Sequence, residues 1–416
     1  MSYRKKSVSA ALIFVTLFVL FMGARAKQDQ PVKYNALQTD ISSYAARGPH
    51  PVGILDLVIN GETGLEITVW YPAFRGENLE ETISNPYKIK MGDPFGTVAI
   101  ASYMGQGMRA APFDRSKGTY PLVILSPGFS IGASAYAWLA EHLSSYGFVV
   151  IAPEHHEFLD PGNELWQATI SRPQDILTVL AFVDEQVRSG GAFAGLINPD
   201  LVAVIGHSYG GYTSLAAGGA QLETESFKAN CETAYESDTP VVWLCDQLLP
   251  HIGDMASLAG LDSIPEGLWP AWADRRVDAI VPMAGDAFFF GQAGLAEIRV
   301  PVMAIGGTQD NDSPFMWGTH PSYEYASSST KVMIALDGAE HMIFTGSCEK
   351  IPWFLKFFSA EFCSDSGWDR SYAHDLINHF TTAFLLAELK QDKGAAATLV
   401  PDTVEFPGVT YEAQGY

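Results

Sequence analysis

The sequence is poor in basic residues, because 25 lysines and arginines stand against 47 aspartates and glutamates, for a formal net charge of −22. Proteins that bind nucleic acid usually carry a dense basic surface that displaces counterions from the phosphates. Anionic membrane surfaces also attract basic segments. The charge balance therefore argues against nucleic acid and against an anionic membrane as partners.

Charged residues of both signs are scarce, at 17% of 416 residues, whereas hydrophobic residues reach 47%. This composition excludes an intrinsically disordered chain and predicts a large packed core. The sequence has no internal repeat and no low-complexity linker. The length alone fits one large domain or several of ordinary size.

Long hydrophobic runs are absent as well. The apolar stretch 10–22, interrupted only by Thr16, is too short for a bilayer span, which needs about 20 residues. Basic residues at 4–6 precede it, and the segment 24–26 (Ala-Arg-Ala) supplies the small residues that a signal peptidase reads. We therefore expect a cleaved signal peptide over 1–26, a secreted or periplasmic protein and no stable membrane anchor after cleavage, with an uncleaved anchor as the alternative.

Cysteines are few, and the four form an even set: Cys231, Cys245, Cys348 and Cys363. In an exported protein such a set is typical of disulfides. Of the three pairings we favour Cys231 with Cys245 and Cys348 with Cys363, because each closes a short loop that stabilises the fold by about 3 kcal/mol. Free buried thiols are the alternative. No C-x-x-C pair is present, so we expect no metal.

Several short apolar runs with little alternation are typical of strands buried on both faces of a parallel sheet. They lie at 122–126, 148–152, 201–205, 279–283, 302–305 and 332–336.

Between these runs lie stretches with helical periodicity, which end or begin at glycine or proline. They cover 135–146, a stretch through 176–187 whose start is marked by Ser171 and Pro173, and 372–389. The alternation predicts an α/β fold with a mostly parallel central sheet flanked by helices. Upstream, 52–58 and 65–71 read as an antiparallel hairpin at the edge of that sheet.

We expect a single domain over 27–416, with an insertion at about 220–272. A plain crossover between two strands would need far fewer residues. Since the insertion contains Cys231 and Cys245, it reads as a disulfide-stapled lid over a site, and a surface elaboration is the alternative.

The sharpest chemical signal is Gly206-His207-Ser208-Tyr209-Gly210-Gly211, directly after the predicted strand 201–205. A serine hydroxyl needs a neighbouring base and a place where its oxyanion product is stabilised. A G-x-S-x-G turn between strand and helix meets both needs, because flanking glycines allow a tight turn that presents the serine. We therefore predict that Ser208 is a nucleophile.

The chain resembles the α/β-hydrolase superfamily over nearly all of its predicted mature length. The segments 126–130, 206–211 and 339–342 are similar to those of dienelactone-hydrolase-like esterases, cutinase-type polyester hydrolases and platelet-activating-factor acetylhydrolases. True dienelactone hydrolases use cysteine as the nucleophile. Because this chain has Ser208 instead, a lactone substrate is not implied.

The oxyanion hole should combine the amide of Tyr209 with a second main-chain donor. The resemblance to cutinase-type enzymes implies Phe129, which follows the turn Ser126-Pro127-Gly128; an ordinary turn at the end of a strand is the alternative. The base should be a late histidine, since the fold orders its triad as serine, acid, histidine. His341 follows the last predicted strand and is the candidate.

The acid has competing candidates. The loop 307–314 resembles the acid-bearing loop of the cutinase-type relatives and carries Asp310, which we favour. Asp286 follows the predicted strand 279–283, a place similar to the one where the acetylhydrolases carry the acid of their triad. Asp312 is a third choice. The aspartates that are not the acid would be solvated loop carboxylates.

These residues predict a serine carboxylic-ester hydrolase that works through an acyl-enzyme and needs no cofactor. The resemblance implies short-chain esters, phospholipid-like esters or polyesters, so the partner would be a small-molecule or polymeric ester. An acyltransferase with the same triad and a catalytically inactive, hydrolase-like binding module are the alternatives.

An apolar cleft or core packing would explain the apolar residues near the predicted loops, which are Phe288, Phe289, Phe290, Met316, Trp317, Met342 and Phe344.

Overall fold

The computed structural model describes residues 34, 44–59, 64–74, 85–93, 96–157, 160–353, 362–363 and 365–416, and the fold is given for these. The predicted signal peptide, residues 1–26, lies outside them. None of the described helices is long and apolar enough to cross a membrane.

The described residues form a ten-stranded sheet in the order β12-β11-β10-β9-β8-β6-β7-β2-β1-β5, together with a separate hairpin of β3 and β4. The strands are β1 (Val52–Ile59), β2 (Leu65–Pro72), β3 (Asn85–Asp93), β4 (Gly96–Gly105), β5 (Met108–Arg109), β6 (Tyr120–Ser126), β7 (Val149–Pro153), β8 (Ile197–His207), β9 (Val277–Met283), β10 (Val302–Gly307), β11 (Lys331–Leu336) and β12 (Val409–Gln414). From β11 to β7 the pairing is parallel, and β12, β2 and β1 add antiparallel pairs. The predicted parallel sheet and edge hairpin are confirmed.

Helices connect these strands along the chain. They are α1 (Ala137–Ser145), α2 (Pro161–Gln186), α3 (Tyr209–Ala217), α4 (Thr224–Ser237), α5 (Val242–Leu248), α6 (Ile252–Leu258), α7 (Gly291–Leu295), α8 (Thr319–Glu324), α9 (Arg370–Lys390) and α10 (Lys393–Ala397). Short 3-10 turns lie at Ala133–Tyr136, Leu249–His251, His341–Phe344 and Pro401–Thr403.

The sheet separates two buried cores because successive side chains of a strand point to opposite faces. In β6, Leu122 and Ile124 join the core beneath α2 and α3, whereas Val123 and Leu125 join the core beneath α1 and α9. Both cores exclude solvent from the central strands. The sheet is thus the rigid support from which the loops at its edge project.

Helix α2 is longer than predicted, since it begins at Pro161 and Pro173 lies inside it. Proline cannot donate to the carbonyl four residues earlier, which here is that of Thr169. The buried Tyr212 hydroxyl donates to this carbonyl at 2.8 Å, so the acceptor that Pro173 leaves open is satisfied by another helix. Reading Pro173 as a start signal was wrong for that reason.

The segment predicted as an insertion holds α4, α5 and α6, and the Cys231–Cys245 disulfide joins α4 to α5. The second disulfide joins Cys348 to Cys363, so both favoured pairings are present. Phe227 of α4 packs against Phe288 and Phe289. No described hydrogen bond or ring contact joins the segment to the predicted site, and its role as a lid stays a prediction.

Candidate active site

Five consecutive strands of the sheet end along one edge, and each is followed by a residue of interest. The turn with Phe129 follows β6, Ser208 follows β8, Asp286 follows β9, Asp310 follows β10 and His341 follows β11. Ligands and substrates of open α/β sheets bind at this carboxyl edge. The topology thus brings together groups that are more than 200 positions apart in the sequence.

Ser208 occupies a sharp turn between β8 and α3, with φ 57° and ψ −123°. This positive φ is unfavourable for a residue with a side chain. The turn depends on its glycines, because a Cβ at Gly206 would lie 2.2 Å from the carbonyl oxygen of Gly210, and one at Gly210 would lie 2.0 Å from that of Ser126. The Ser208 amide donates to the Met283 carbonyl at 2.9 Å, which ties the turn to β9.

The side chains of Ser208, His341 and Asp310 form a continuous hydrogen-bonded row. Ser208 Oγ lies 2.8 Å from His341 Nε2, and His341 Nδ1 lies 2.6 Å from Asp310 Oδ2. Asp310 Oδ1 accepts from the amides of Asp312 and Ser313 at 2.9 and 2.8 Å, which fixes the carboxylate. His341 and Asp310 are buried, and Ser208 is half-buried.

The competing acid, Asp286, lies close by but makes a different contact. Its Oδ1 accepts from the Ser313 hydroxyl at 2.6 Å, and no described hydrogen bond joins it to His341. Burial raises the pKa of Asp286 to about 7, although the Ser313 hydrogen bond and the charge of His341 oppose the change. Of the two carboxyl groups, Asp310 is the one hydrogen-bonded to the histidine.

Electrostatics around His341 favour its protonated form. Burial lowers the pKa, but the charge of Asp310, its hydrogen bond and the charges of Asp312 and Asp286 together raise the pKa of His341 to about 9. A histidine accepts a proton only in its neutral form. The raised pKa means that the neutral, proton-accepting form of His341 becomes more abundant as the pH rises.

Two main-chain amides, those of Phe129 and Tyr209, are the candidates for the oxyanion hole. Tyr209 is the first residue of α3, where an amide lacks a partner within the helix. No described residue accepts a hydrogen bond from the amide of Tyr209 or from that of Phe129. The rings of these two residues lie edge to face, with centroids 6.1 Å apart. Both amides are thus unengaged donors on adjoining segments.

His207 links these segments beneath the site. Its Nε2 donates to the His341 carbonyl at 3.0 Å, so the other ring nitrogen, Nδ1, accepts from the Tyr136 hydroxyl at 2.9 Å. The Tyr136 oxygen in turn accepts from the Gly128 amide at 3.0 Å. Burial and the charge of His341 hold the pKa of His207 well below its usual range. A neutral His207 therefore connects the turn after β6 with the segment that carries His341.

Sequence reasoning missed the buried pair of Glu157 and Arg172, because the partners lie on different elements. From the sequence, His155, His156 and Glu157 are only a weak metal candidate. In the structure the His155 ring bonds to Ser126 and Asp175 instead, and Glu157 pairs with Arg172. Only spatial proximity reveals this network, since neither member belongs to a local motif.

The apolar residues near the loops divide into two groups. Phe288, Phe289, Phe290 and Phe344 are at most 2% exposed and belong to the two cores. Met316 is 62% exposed, and Trp317 and Met342 are partly buried. Only the last three have surface that a substrate could contact.

The described residues include one group that could hold a metal ion, namely Asp310, Asp312 and His341, whose ligand atoms lie within 4.8 Å of one another. Two of these three residues already bond to each other. A cation there would compete with the hydrogen bonds that join Asp310, His341 and Ser208.

Comparison with known proteins gives two family matches. A family model for chlorophyllase matches residues 110–230, and one for platelet-activating factor acetylhydrolase, isoform II, matches residues 36–158. The first match covers the β6 turn and the serine turn. The chain has an α/β-hydrolase fold. Its curated relatives include enzymes named cutinases and a terephthalate hydrolase.

The chain is similar to a bis(hydroxyethyl) terephthalate hydrolase of Streptomyces coelicolor, with 27% identity over 45% of this chain and 53% of that protein. It is also similar to cutinase 2 of Thermobifida cellulosilytica, with 25% identity over 65% of this chain and 79% of that enzyme. Cutinase est2 of Thermobifida alba is 31% identical over 32% of this chain and 41% of its own length. The chain thus spans about half the length of the terephthalate hydrolase that it matches.

Proposed function

We propose that this α/β-hydrolase cleaves carboxylic esters through an acyl-enzyme on Ser208. The observation that carries the proposal is the 2.8 Å distance between Ser208 Oγ and His341 Nε2, with Asp310 hydrogen-bonded to the far side of the ring. This arrangement is the one in which a serine hydroxyl becomes nucleophilic.

In the first step Ser208 Oγ attacks the ester carbonyl carbon, and its proton passes to His341 Nε2. The carbonyl oxygen becomes an oxyanion, which accepts hydrogen bonds from the amides of Phe129 and Tyr209. Asp310 stabilises the imidazolium through its contact with Nδ1. When the C–O bond breaks, the alcohol leaves with the proton from His341.

In the second step water attacks the acyl-enzyme while His341 removes its proton. The second tetrahedral oxyanion occupies the same two amides. Collapse releases the carboxylic acid and returns the proton to Ser208. The cycle consumes one ester and one water and uses only groups of this chain.

We further propose that the enzyme is exported, with residues 1–26 as its signal peptide. The basic start, the short apolar stretch and the Ala-Arg-Ala segment support this. Two disulfides also suit an oxidising compartment.

As substrates we propose hydrophobic or aromatic carboxylic esters, including polyesters and short-acyl phospholipid-like esters. The relatives named terephthalate hydrolase and cutinase, and the acetylhydrolase family model, support this range. The exposed Met316 near Asp310 offers apolar surface for such a chain.

The test is the Ser208→Ala variant. It should fold as the wild type does but lose hydrolysis of a p-nitrophenyl acyl ester by several orders of magnitude, because the proposed acyl-enzyme forms on the Ser208 hydroxyl. A fluorophosphonate probe should label the wild type at the Ser208 peptide and leave the variant unlabelled.

Two results would contradict the proposal: full activity of a folded Ser208→Ala protein, or a label on a different residue of the wild type. Turnover of an acyl-length series, a terephthalate diester and a polyester film would then rank the substrate classes. Wild-type protein that releases none of these products would remove the ester hydrolase assignment.

A further inference from the structure

The turn that carries Phe129 rests on a buried arginine that the triad does not use. Arg172 of α2 is 1% exposed, and its guanidinium donates to the carbonyls of Pro127 at 2.6 Å and Gly128 at 3.0 Å. Two further donors of the guanidinium bond to Glu157 at 2.5 and 2.7 Å. A buried arginine is retained in this way only when its charge and its donors are matched.

Glu157 completes a clamp around the turn. Its Oε2 accepts from the Ser130 amide at 2.8 Å, one residue beyond Phe129. The Gly128 amide, on the other side, donates to the Tyr136 hydroxyl at 3.0 Å. Main-chain groups before and after Phe129 are therefore fixed, while the Phe129 amide has no acceptor among the described residues.

Because a peptide unit is planar, this clamp also fixes the direction of the Phe129 amide. The Gly128 carbonyl and the Phe129 amide belong to the same planar unit, and in a trans peptide they point in opposite directions. An arginine that holds the carbonyl thus sets the direction of the amide. A charged donor on the carbonyl also polarises the unit, which strengthens the amide as a donor.

The same helix supports the second amide. The Thr169 hydroxyl contacts the Tyr209 hydroxyl, which also donates to the Leu165 carbonyl at 3.2 Å. The Arg172 guanidinium lies 5.6 Å from the centre of the Tyr209 ring. Helix α2 therefore contacts Tyr209 itself and, through Arg172, the peptide unit that carries the Phe129 amide.

We propose that Arg172 is a positioning residue of this enzyme, which aims the Phe129 amide at the oxyanion through the Gly128 carbonyl, with Glu157 as its counter-ion. This inference rests on the proposed ester hydrolysis. Arg172 would then stabilise the transition state without touching the substrate.

The experiment compares Arg172→Gln and Arg172→Lys with the wild type. Arg172→Gln loses the charge and the fork, whereas Arg172→Lys keeps a charge beside Glu157 but replaces the planar fork of donors by a single nitrogen. We expect kcat of Arg172→Gln to fall roughly 10²-fold, as when one oxyanion donor is lost. KM should change by less than about threefold, since ground-state binding is untouched. Arg172→Lys should retain an intermediate kcat.

A transition-state readout separates positioning from general damage. The inhibition constant of an aliphatic trifluoromethyl ketone, whose adduct with Ser208 carries an oxyanion, should rise by about the same factor as kcat falls. The acidic limb of the pH profile should stay where it is in the wild type, because the contacts of His341 are unchanged.

Arg276→Gln is the matched control. Arg276 pairs with Asp184 at the other end of α2 and with Asp274, and it has no described contact with the turn 126–130. This variant should lose stability without losing kcat.

The outcomes are distinct. An inactive wild type would refute the proposed function. An active wild type whose folded Arg172 variants keep kcat and the inhibition constant, or lose only KM, would refute the positioning role. If neither Arg172 variant folds while Arg276→Gln does, the pair is a folding element and the proposal fails.

Discussion

At the scale of single residues, the site contains two Ser-His-Asp rows that differ in what surrounds the serine. Ser126 lies 3.0 Å from His155 Nε2, and His155 Nδ1 lies 2.7 Å from Asp175. Ser126, however, is the fully buried last residue of β6, whereas Ser208 is half-buried in a turn with positive φ. A serine needs access to the ester as well as a base, so only the row with Ser208 suits catalysis.

The acid could not be decided from the sequence, because both carboxyl groups follow strands that end at the same edge. Their difference is one contact: Asp310 bonds to His341, while Asp286 bonds to Ser313. The serine and the histidine were easier to predict, since each follows a predicted strand in the order that the fold demands. The clamp of Glu157 and Arg172 had no sequence signal, because it depends on how a helix packs against a turn.

The first prediction concerns pH. Because the pKa of His341 is raised to about 9 and the base must be neutral, kcat/KM should rise with pH and reach its plateau above about pH 9. Asp310→Asn removes the strongest of the charges that favour the imidazolium, so its acidic limb should move to lower pH. It should also lower kcat by roughly 10⁴-fold, because the imidazolium loses its partner. The measurement is a pH–rate profile of both proteins with p-nitrophenyl acetate.

Asp286→Asn serves as the comparison for this profile. It removes a more distant carboxylate and leaves the hydrogen bond to His341 intact, so its limb should move less and its kcat should stay near that of the wild type. If Asp286→Asn instead produced the larger loss, Asp286 would be the acid. A wild-type limb at the ordinary histidine pKa, near 6.5, would contradict the electrostatic argument.

At the scale of elements, the six strands predicted from apolar runs are present, since burial on both faces leaves a strong compositional trace. The predictions missed the β3–β4 hairpin, β5 and β12, which lie outside the central strands. In β12 half-buried and exposed positions alternate, so its pattern is much weaker. The sequence prediction made helix α2 too short because a proline usually marks the end or the start of a helix. The hydroxyl that replaces the missing amide of Pro173 belongs to Tyr212, 39 positions further along the chain.

That compensation can be measured. Tyr212→Phe leaves the buried Thr169 carbonyl without its donor and should lower the free energy of unfolding by about 1–3 kcal/mol. In a Pro173→Ala background the same change should have a smaller effect, because the alanine amide can donate to Thr169 within the helix. The measurement is a double-mutant cycle of denaturant unfolding.

Thr178→Val is a suitable control in that cycle, since Thr178 donates to the Gln174 carbonyl on an exposed part of α2. Its effect should be the same in the wild-type background and in the Pro173→Ala background. Equal losses from Tyr212→Phe in the two backgrounds would show that the hydroxyl does not replace the missing amide.

At the scale of the whole molecule, acidic charge bears on which esters the proposed hydrolase should accept. The chain has a net charge of −22, and the exposed residues of the site include Asp312. Each turnover of the proposed reaction would also create a carboxylate, which a negative field repels from the site. The same field should discriminate among substrates before any contact is made.

We therefore expect charge selectivity that depends on salt. Of two p-nitrophenyl esters of equal length, the one with a terminal trimethylammonium should have a several-fold higher kcat/KM at low ionic strength than the one with a terminal carboxylate. The ratio should approach one in concentrated salt, because the screening length falls from about 30 Å at 0.01 M to 3 Å at 1 M. A neutral ester of the same length controls for direct effects of salt on the protein. A ratio that ignores salt would mean that contacts within the cleft, and not the field of the molecule, set the preference.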